Sequence, residues 1–223
     1  MFDLQKDGEV YLLHMAAGEN RFNGKFVEEV NRALIEVERS QGPAALVTTG
    51  EGKFYSNGLD LEWMAPLSQQ EADAHIRNVH ALFFRMFTFP VITVAALNGH
   101  VFAAGAMIAL AHDYRVMRED RGFFCLPEVD IRIPFTVPMA TLIRARLPAG
   151  NVMHEAMCTG KRYGGDEAAR LGIVDRAVSE TEVVPVAVEL ARGLADKHRD
   201  TLAKIKRDAY PEVVEVFERD ARG

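Results

Sequence analysis

Apolar residues occur along this chain in two alternating arrangements, short unbroken runs and helical spacings. The unbroken runs cover residues 10–15, 44–49 and 90–97, with a further run near 114–117. Runs of this length are typical of strands that are buried on both faces. Between them, residues 26–37 and 69–87 place apolar side chains at helical spacing. Strands that alternate with helices predict βαβ units and a parallel sheet, so the expected fold class is α/β.

The second half of the chain is predicted to be mostly helical. Four segments look helical, at residues 142–147, 152–159, 166–171 and 183–198. No internal repeat, low-complexity tract or Pro/Ser-rich linker interrupts the sequence, which favours a single domain over residues 1–223. We divide this domain into a core at 1–180 and a helical C-terminal segment at 181–223.

Composition and charge narrow the possible functions. The chain is 48% hydrophobic and 26% charged, as globular proteins are, and its formal net charge of −6 argues against a nucleic-acid-binding surface. Cys125 and Cys158 are isolated from each other, which predicts neither a disulfide framework nor a metal site. No apolar run reaches the ~18 residues of a membrane span. The start lacks a signal-peptide core and the end is not a Ser-Lys-Leu peroxisomal address, so we expect a cytoplasmic protein.

The stretch GKFYSNGLDLEW, residues 52–63, contains the first chemical motif. Asn57 and Gly58 both tolerate positive φ, so they predict a sharp turn after the strand at 44–49. Such a turn either connects two elements or directs a backbone N–H at a ligand. Asp60 is expected to cap the helix that follows.

Two further motifs lie downstream. Asn98-Gly99 is followed by the small residues 103–106 at the start of a predicted helix, and Glu128 and Asp130 stand between apolar residues. Each motif also has a structural explanation, as a connecting turn, a close helix–strand contact or a solvated acid. We interpret His100 and His112 as packed, hydrogen-bonded residues rather than metal ligands.

Other candidate sites have weaker support. Ser56 and His100 do not form a convincing hydrolytic pair, because no G-x-S-x-G elbow surrounds the serine. The sequence contains no G-x-G-x-x-G cofactor motif either. The basic cluster Lys204, Lys206 and Arg207 is interpreted as a solvated helix face.

Taken together, the motifs resemble the enoyl-CoA hydratase/isomerase (crotonase) superfamily. The resemblance rests on GEGKFYSNGLDL at 50–61, on PVITVAALNG at 90–99, and on the helix and Asp113 that follow. The positions that match the family are Phe54, Gly58, Asp60, Asn98, Gly99, Gly105 and Asp113. These elements follow one another in family order, and the resemblance extends over residues 8–200.

The resemblance implies a fold, a substrate and an assembly. The fold is the crotonase (ClpP-like) fold, in which ββα units stack around a mostly parallel sheet and the C-terminal part is helical. The substrate is an acyl-CoA thioester. No separate cofactor is needed, because coenzyme A is part of the substrate. The expected assembly is a homotrimer or a dimer of trimers, with 181–223 as the oligomerisation segment.

The resemblance also assigns roles in the site. The backbone N–H groups of Leu59 and Ala104 form an oxyanion hole for the thioester oxygen. Preorganised donors of this kind stabilise the enolate that forms when a proton next to the carbonyl is removed. The remaining predicted substrate contacts are Ser56, Asn57, Gly58, Asp60, Met107 and Arg21.

The catalytic acids distinguish the members of the superfamily. Hydratases carry two glutamates around a water, and the first of these positions is Met107 here, while the second matches Glu128. A thioether transfers no proton, so hydration is disfavoured. A single glutamate in an apolar setting is sufficient to move a proton from C2 to C4 of a 3-enoyl-CoA. Asp130 is the competing base.

The segments TTGEGKFYSNGLDLEW and EVDIRIP are similar to the plant-type monofunctional Δ3,Δ2-enoyl-CoA isomerases. Arg132 replaces the glycine of that subgroup and is expected to narrow the acyl channel or to change its charge. An isomerase of 3-enoyl-CoA is therefore the leading hypothesis. Hydration or thioester hydrolysis is the alternative within the superfamily, and a non-catalytic acyl-CoA or RNA-binding homologue is the alternative from another class.

Overall fold

The computed structural model describes residues 2–222, so Met1 and Gly223, the ends of the predicted domain 1–223, lie outside the described residues. The strands are β1 (Phe2–Asp7), β2 (Val10–Met15), β3 (Ala45–Gly50), β4 (Phe54–Ser56), β5 (Ile92–Leu97), β6 (His100–Phe102), β7 (Tyr114–Arg118), β8 (Phe124–Cys125) and β9 (Arg176–Val178). The first helices are α1 (Gly24–Arg39), α2 (Leu61–Met64), α3 (Gln69–Phe87), α4 (Ala104–Ala111), α5 (Glu128–Ile131) and α6 (Val137–Arg146). The later helices are α7 (Asn151–Thr159), α8 (Gly165–Arg170), α9 (Val183–Arg192), α10 (Arg199–Ala209) and α11 (Pro211–Asp220).

The main sheet has the strand order β1-β2-β3-β5-β7-β9. Strands β1 and β2 pair in an antiparallel hairpin, and every other pair in this sheet is parallel. In the register, Ala45 of β3 lies opposite Val10 on one side and Ile92 on the other. The predicted parallel sheet is thereby confirmed.

A second, smaller sheet repeats the order of the first. Its strands β4, β6 and β8 are parallel to one another, and each follows a strand of the main sheet. A helix comes next in each case, so the chain repeats a ββα unit. Two strands of this sheet begin in close contact, because a Cβ added at Gly99, just before β6, would lie 2.2 Å from the carbonyl oxygen of Lys53, just before β4. The pattern of apolar residues did not predict these strands, because segments of two or three residues are too short to show periodicity.

The two helices predicted from helical spacing, at 26–37 and 69–87, are confirmed. Asn23 caps α1 by accepting a hydrogen bond from the Phe26 N–H at 3.0 Å. Ser68 and Glu71 form a capping box at the start of α3, which satisfies two N–H groups that have no partner within the helix. Helices α1 and α3 pack on one face of the main sheet, in the same core as Leu46.

Helix α9 covers the opposite face of the sheet. Its Ala187 and Ala191 are fully buried against Val47, Val94 and Val116. The first part of the 181–223 segment thus belongs to the chain's own core, and the oligomerisation role of the segment stays a prediction. None of the helices between residues 2 and 222 combines the length and the hydrophobicity of a membrane span.

The prediction of one continuous helix over 183–198 is wrong. Helix α9 ends at Arg192, and the chain turns before α10 begins at Arg199. The turn starts at Gly193, a poor helix former, and it brings the Ala195 carbonyl to the Ala44 N–H at 3.0 Å. A tertiary hydrogen bond to the start of β3 therefore accompanies the end of the helix.

The interpretation of Lys206 as a solvated residue is also wrong. Its side chain is only 8% exposed, and Nζ lies 2.7 Å from Asp113 Oδ2. The same Nζ donates to the carbonyl oxygens of Phe89 and Val91 at 2.9 and 3.0 Å. Asp113 in turn accepts from the Thr93 N–H. A lysine in a basic, amphipathic helix is normally exposed, and only the packing of α10 against the entry to β5 shows otherwise.

Replacing Lys206 by alanine is expected to lower the free energy of unfolding by about 3–5 kcal/mol, because it leaves a largely buried carboxylate without its counter-charge and two carbonyl groups without this donor. The matched control is Lys204→Ala on the same helix, whose Nζ pairs with Asp208 at the surface. That change is expected to cost less than about 1 kcal/mol. Urea denaturation measures both, and similar losses in the two variants would contradict the buried pair.

Candidate active site

The turn at Gly58 brings two distant backbone segments together. Gly58 has φ +83°, and a Cβ at this position would lie 2.8 Å from the Ala103 Cβ and 3.2 Å from the Ala104 nitrogen. Of the Asn57-Gly58 pair, only the glycine takes positive φ. No other residue type fits this turn without moving the start of α4, so a glycine is required here.

Hydrogen bonds to Phe22 flank Leu59 on both sides. The Phe22 N–H donates to the Gly58 carbonyl at 2.8 Å, and the Asp60 N–H donates to the Phe22 carbonyl at 3.3 Å. The intervening N–H of Leu59 donates no hydrogen bond to any group within residues 2–222. Leu59 is therefore fixed in position with its amide available to a ligand.

The second amide belongs to the first residue of α4. Ala103 precedes it with φ +51° and ψ −123°, a strained conformation for an alanine, and its own N–H donates to the Cys125 carbonyl. The Ala104 N–H is one of the unpaired amides at a helix N-terminus, and it too finds no acceptor in the described part of the chain. Leu59 and Ala104 thus each follow a residue with positive φ, and the two residues line the same cavity.

This cavity has a volume of about 670 Å³. It brings together six of the residues that the sequence singled out: Arg21, Asn57, Leu59, Ala104, Met107 and Glu128. Most of the other walls are apolar, with Leu61, Met64, Ile76, Phe102, Ile131, Ile133 and Met139 among them. A mostly apolar cavity with a few polar groups is typical of a small-molecule site.

Three predicted contact residues do not line this cavity. Ser56 is buried, donates from Oγ to the Asn20 carbonyl at 2.7 Å and accepts from the Gly58 N–H at 3.2 Å. Asp60 accepts from the Trp63 N–H at 3.1 Å, which confirms its capping role. With Gly58 itself, these residues shape the turn, and as direct contacts to substrate they stay predictions.

Glu128 is the first residue of α5 and is only 6% exposed. Its Oε2 atom is buried and has no hydrogen-bond partner in the described residues. Burial disfavours the charged carboxylate and raises the pKa of Glu128 to about 7. A carboxyl group with this pKa both accepts and donates protons near neutral pH.

The apolar setting of Glu128 differs in part from the predicted one. Its sequence neighbours Phe123, Val129 and Ile131 are each more than a third exposed. Of these three, only Ile131 lines the cavity, and most of its apolar wall comes from other parts of the chain, including the buried Met107. The competing base Asp130 is exposed and is not among the residues lining the cavity, and its carboxylate packs against Gly160.

Sequence reasoning missed two groups of site residues. Asn20 is fully buried, and its Nδ2 atom donates to the carbonyl groups of Met15 and Tyr55. These hydrogen bonds fix the position of Asn20, whose own carbonyl accepts from Ser56 Oγ. An Asn two residues after Gly18 in a predicted turn could have signalled this role, because Asn tolerates the observed φ of +50°. Ile76 and Met139 line the cavity from helices far away in sequence, and no local signal indicates them.

A solved structure identifies the fold. Human mitochondrial Δ3-Δ2-enoyl-CoA isomerase superposes with a TM-score of 0.87 over 99% of this chain and 88% of that chain, at 23% sequence identity. The shared architecture confirms the predicted crotonase fold of ββα units.

Sequence comparison then identifies the family. Residues 8–218 match the profile of the enoyl-CoA hydratase/isomerase family. Enoyl-CoA delta isomerase 3 of Arabidopsis thaliana is 36% identical, with 99% of this chain and 97% of that protein aligned. The peroxisomal enoyl-CoA delta isomerase 2 of the same plant is 35% identical, over 100% and 97% of the two chains. The chain belongs to the enoyl-CoA hydratase/isomerase family, as its motifs predicted.

The raised pKa of Glu128 predicts how stability changes with pH. Between the unfolded pKa near 4.5 and the folded value of about 7, the folded state retains a proton that the unfolded state has lost. Burying the carboxylate therefore costs nothing at low pH and about 3 kcal/mol above the folded pKa. Glu128→Gln, which imitates the protonated group, is expected to be more stable than the wild type by about this amount near pH 8.5.

Near pH 5, the two proteins are expected to differ by less than about 1 kcal/mol. The measurement is urea denaturation at both pH values, with Glu189→Gln, an exposed glutamate on α9, as the control. A difference between Glu128→Gln and the wild type that stays the same at both pH values would contradict the raised pKa.

Proposed function

We propose that the protein isomerises 3-enoyl-CoA to 2-enoyl-CoA, with Glu128 as the single proton carrier and the Leu59 and Ala104 amides as the oxyanion hole. The observation that carries this proposal is one buried carboxyl group in a mostly apolar cavity. Two residues that line the same cavity have backbone N–H groups without an acceptor among the described residues. The relatives named as enoyl-CoA delta isomerases support the same reaction.

In this mechanism the thioester oxygen accepts hydrogen bonds from Leu59 and Ala104. Glu128 removes a proton from C2, and the charge of the resulting dienolate accumulates on that oxygen. Each preorganised donor is worth ~3–4 kcal/mol to the transition state, judged from the deletion of such donors in other enzymes. Glu128 then returns the proton at C4, which completes the shift of the double bond.

The cavity favours isomerisation over hydration. Adding water requires a second group that holds and activates the water, and Met107 occupies the position where hydratases are expected to carry that group. The other carboxyl groups that line the cavity are Glu62, which is largely exposed beside Arg21, and Asp73, which accepts a hydrogen bond from Gln69. Among the described residues of the cavity wall, only Glu128 provides a buried carboxyl group.

Basic residues beside the cavity support the binding of coenzyme A. Arg21 lines both this cavity and a neighbouring one of about 770 Å³, which also contains Lys25 and Arg32. Arg21 is held by Glu19 at 2.8 Å and by Glu62 at 3.5 Å. Phosphate groups of the cofactor portion of the substrate would find cations here, while the acyl chain lies in the apolar cavity.

The proposal extends to the assembly and the cellular compartment of the protein. Exposed apolar residues such as Val137 and Ile205 support burial in a homotrimer or a dimer of trimers. We propose a cytoplasmic location, although two of the plant relatives are named as peroxisomal. Binding of RNA that weakens steeply with salt would favour the RNA-binding alternative instead.

Glu128→Gln is expected to reduce isomerisation of a 3-enoyl-CoA by about 10²–10⁴-fold, because glutamine cannot transfer the proton. KM should change little, since the amide keeps the shape of the side chain. Asp130→Asn is the matched comparison and is expected to retain turnover within about threefold. The opposite ranking of the two variants would assign the base to Asp130.

Gly58→Ala tests the oxyanion hole. The new Cβ would push against Ala103 and the Ala104 nitrogen, so kcat is expected to fall by about 10²-fold or more. Gly52→Ala controls for backbone strain, because Gly52 also has positive φ but has no neighbour within 4 Å of an added Cβ. Steady-state kinetics compare the two variants. Equal kcat values for Gly58→Ala and Gly52→Ala would show that the Gly58 turn does not contribute to catalysis.

A further inference from the structure

Three side chains outside the proposed mechanism, Thr136, His80 and Asp220, form a hydrogen-bonded chain that connects three helices. Thr136 Oγ1 lies 2.9 Å from His80 Nε2, and His80 Nδ1 lies 2.8 Å from Asp220 Oδ2. The His80 side chain is only 3% exposed, and the Asp220 side chain is 25% exposed. The residues come from α3, the start of α6 and the end of α11, so only the fold brings them together.

The chemistry of the three groups fixes the direction of the hydrogen bonds. An ionised carboxylate only accepts, so Asp220 holds the proton of His80 on Nδ1. Burial lowers the pKa of His80, which keeps the imidazole neutral and leaves Nε2 as an acceptor. The Thr136 hydroxyl therefore donates to Nε2. A hydroxyl bonded to a histidine that is oriented by an aspartate is the arrangement of an activated nucleophile.

The position of Thr136 supports the same function. Thr136 lines the 670 Å³ cavity together with Glu128, and it is the residue that caps α6. The next amide, the N–H of Val137, donates no hydrogen bond within residues 2–222. The N-terminus of a ten-residue helix favours negative charge, and an amide beside the nucleophile can hold the oxyanion of a tetrahedral intermediate.

We propose that the cavity also hydrolyses acyl thioesters through Thr136, His80 and Asp220. Thr136 Oγ1 forms a bond to the thioester carbon and the C–S bond breaks, while the hydroxyl proton passes through His80 Nε2 to the sulfur of the leaving CoA. Water then attacks the Thr136 ester and gives its proton to His80. The acid is released and that proton restores the hydroxyl. This activity goes beyond the proposed isomerisation, and none of its steps uses Glu128.

The test uses octanoyl-CoA, whose saturated chain has no double bond to move. Release of free CoA is followed with a thiol-reactive dye on the full-length wild type and on variants. The wild type is expected to release CoA faster than buffer does. Thr136→Val and His80→Gln are expected to lower the rate by about a hundredfold or more, while Thr136→Ser, which keeps a hydroxyl, retains hydrolysis. Intact-mass spectrometry after an acid quench is expected to show an octanoyl adduct that maps to Thr136.

Thr159→Val is the matched control, because it removes a hydroxyl that only donates to the Glu155 carbonyl on the surface of α7. Thermal unfolding shows which variants are folded. If Thr136→Val does not fold, the activity of Thr136→Ser and the mass of the adduct test the proposal in its place. The proposal is overturned if the wild type releases CoA no faster than buffer, or if folded Thr136→Val matches the wild type. It is also overturned if Glu128→Gln abolishes hydrolysis while Thr136→Val retains it. Isomerisation of a 3-enoyl-CoA by the same wild-type preparation tests the proposed function separately.

Discussion

The close contact between the Gly58 turn and the N-terminus of α4 is the constraint on which the site depends. It places on the wall of one cavity two amides that have no acceptor among residues 2–222, and each amide follows a residue whose φ is positive. The surrounding structure holds this arrangement through Phe22, Ser56 and the buried Asn20. Unpaired amides cost stability unless a ligand satisfies them, which is consistent with the proposed role of these two amides as an oxyanion hole.

The site contains further features that oppose stability. Glu128 is buried, and its Oε2 has no hydrogen-bond partner in the described part of the chain. Ala103 is strained, and Arg132 takes a left-handed conformation with φ +60° immediately after α5. Strained residues and groups with a shifted pKa accumulate where function requires them. The buried charge of Lys206, by contrast, is satisfied by Asp113 and two carbonyl groups.

Local patterns predicted the regular elements well, because they depend on periodicity and capping. The helix over 69–87 was predicted with its observed bounds, and β2, β3, β5 and β7 of the main sheet were found within a few residues. The two edge strands of this sheet, β1 and β9, were not predicted. The short strands of the second sheet were missed, and Lys206 was placed at the surface although it is buried. In both cases the deciding interactions come from residues that are distant in sequence, which a local pattern cannot contain.

The sequence by itself determined the α/β class, the glycine turn and the family, and it singled out Glu128 as the proposed base. These features follow from residue types at fixed spacing, and a short segment is enough to carry them. Only the tertiary structure decided the burial of Glu128, the close approach of Gly58 to Ala104, and the line from Thr136 through His80 to Asp220. Burial and alignment depend on how separate helices and strands pack, and packing is a property of the whole folded chain.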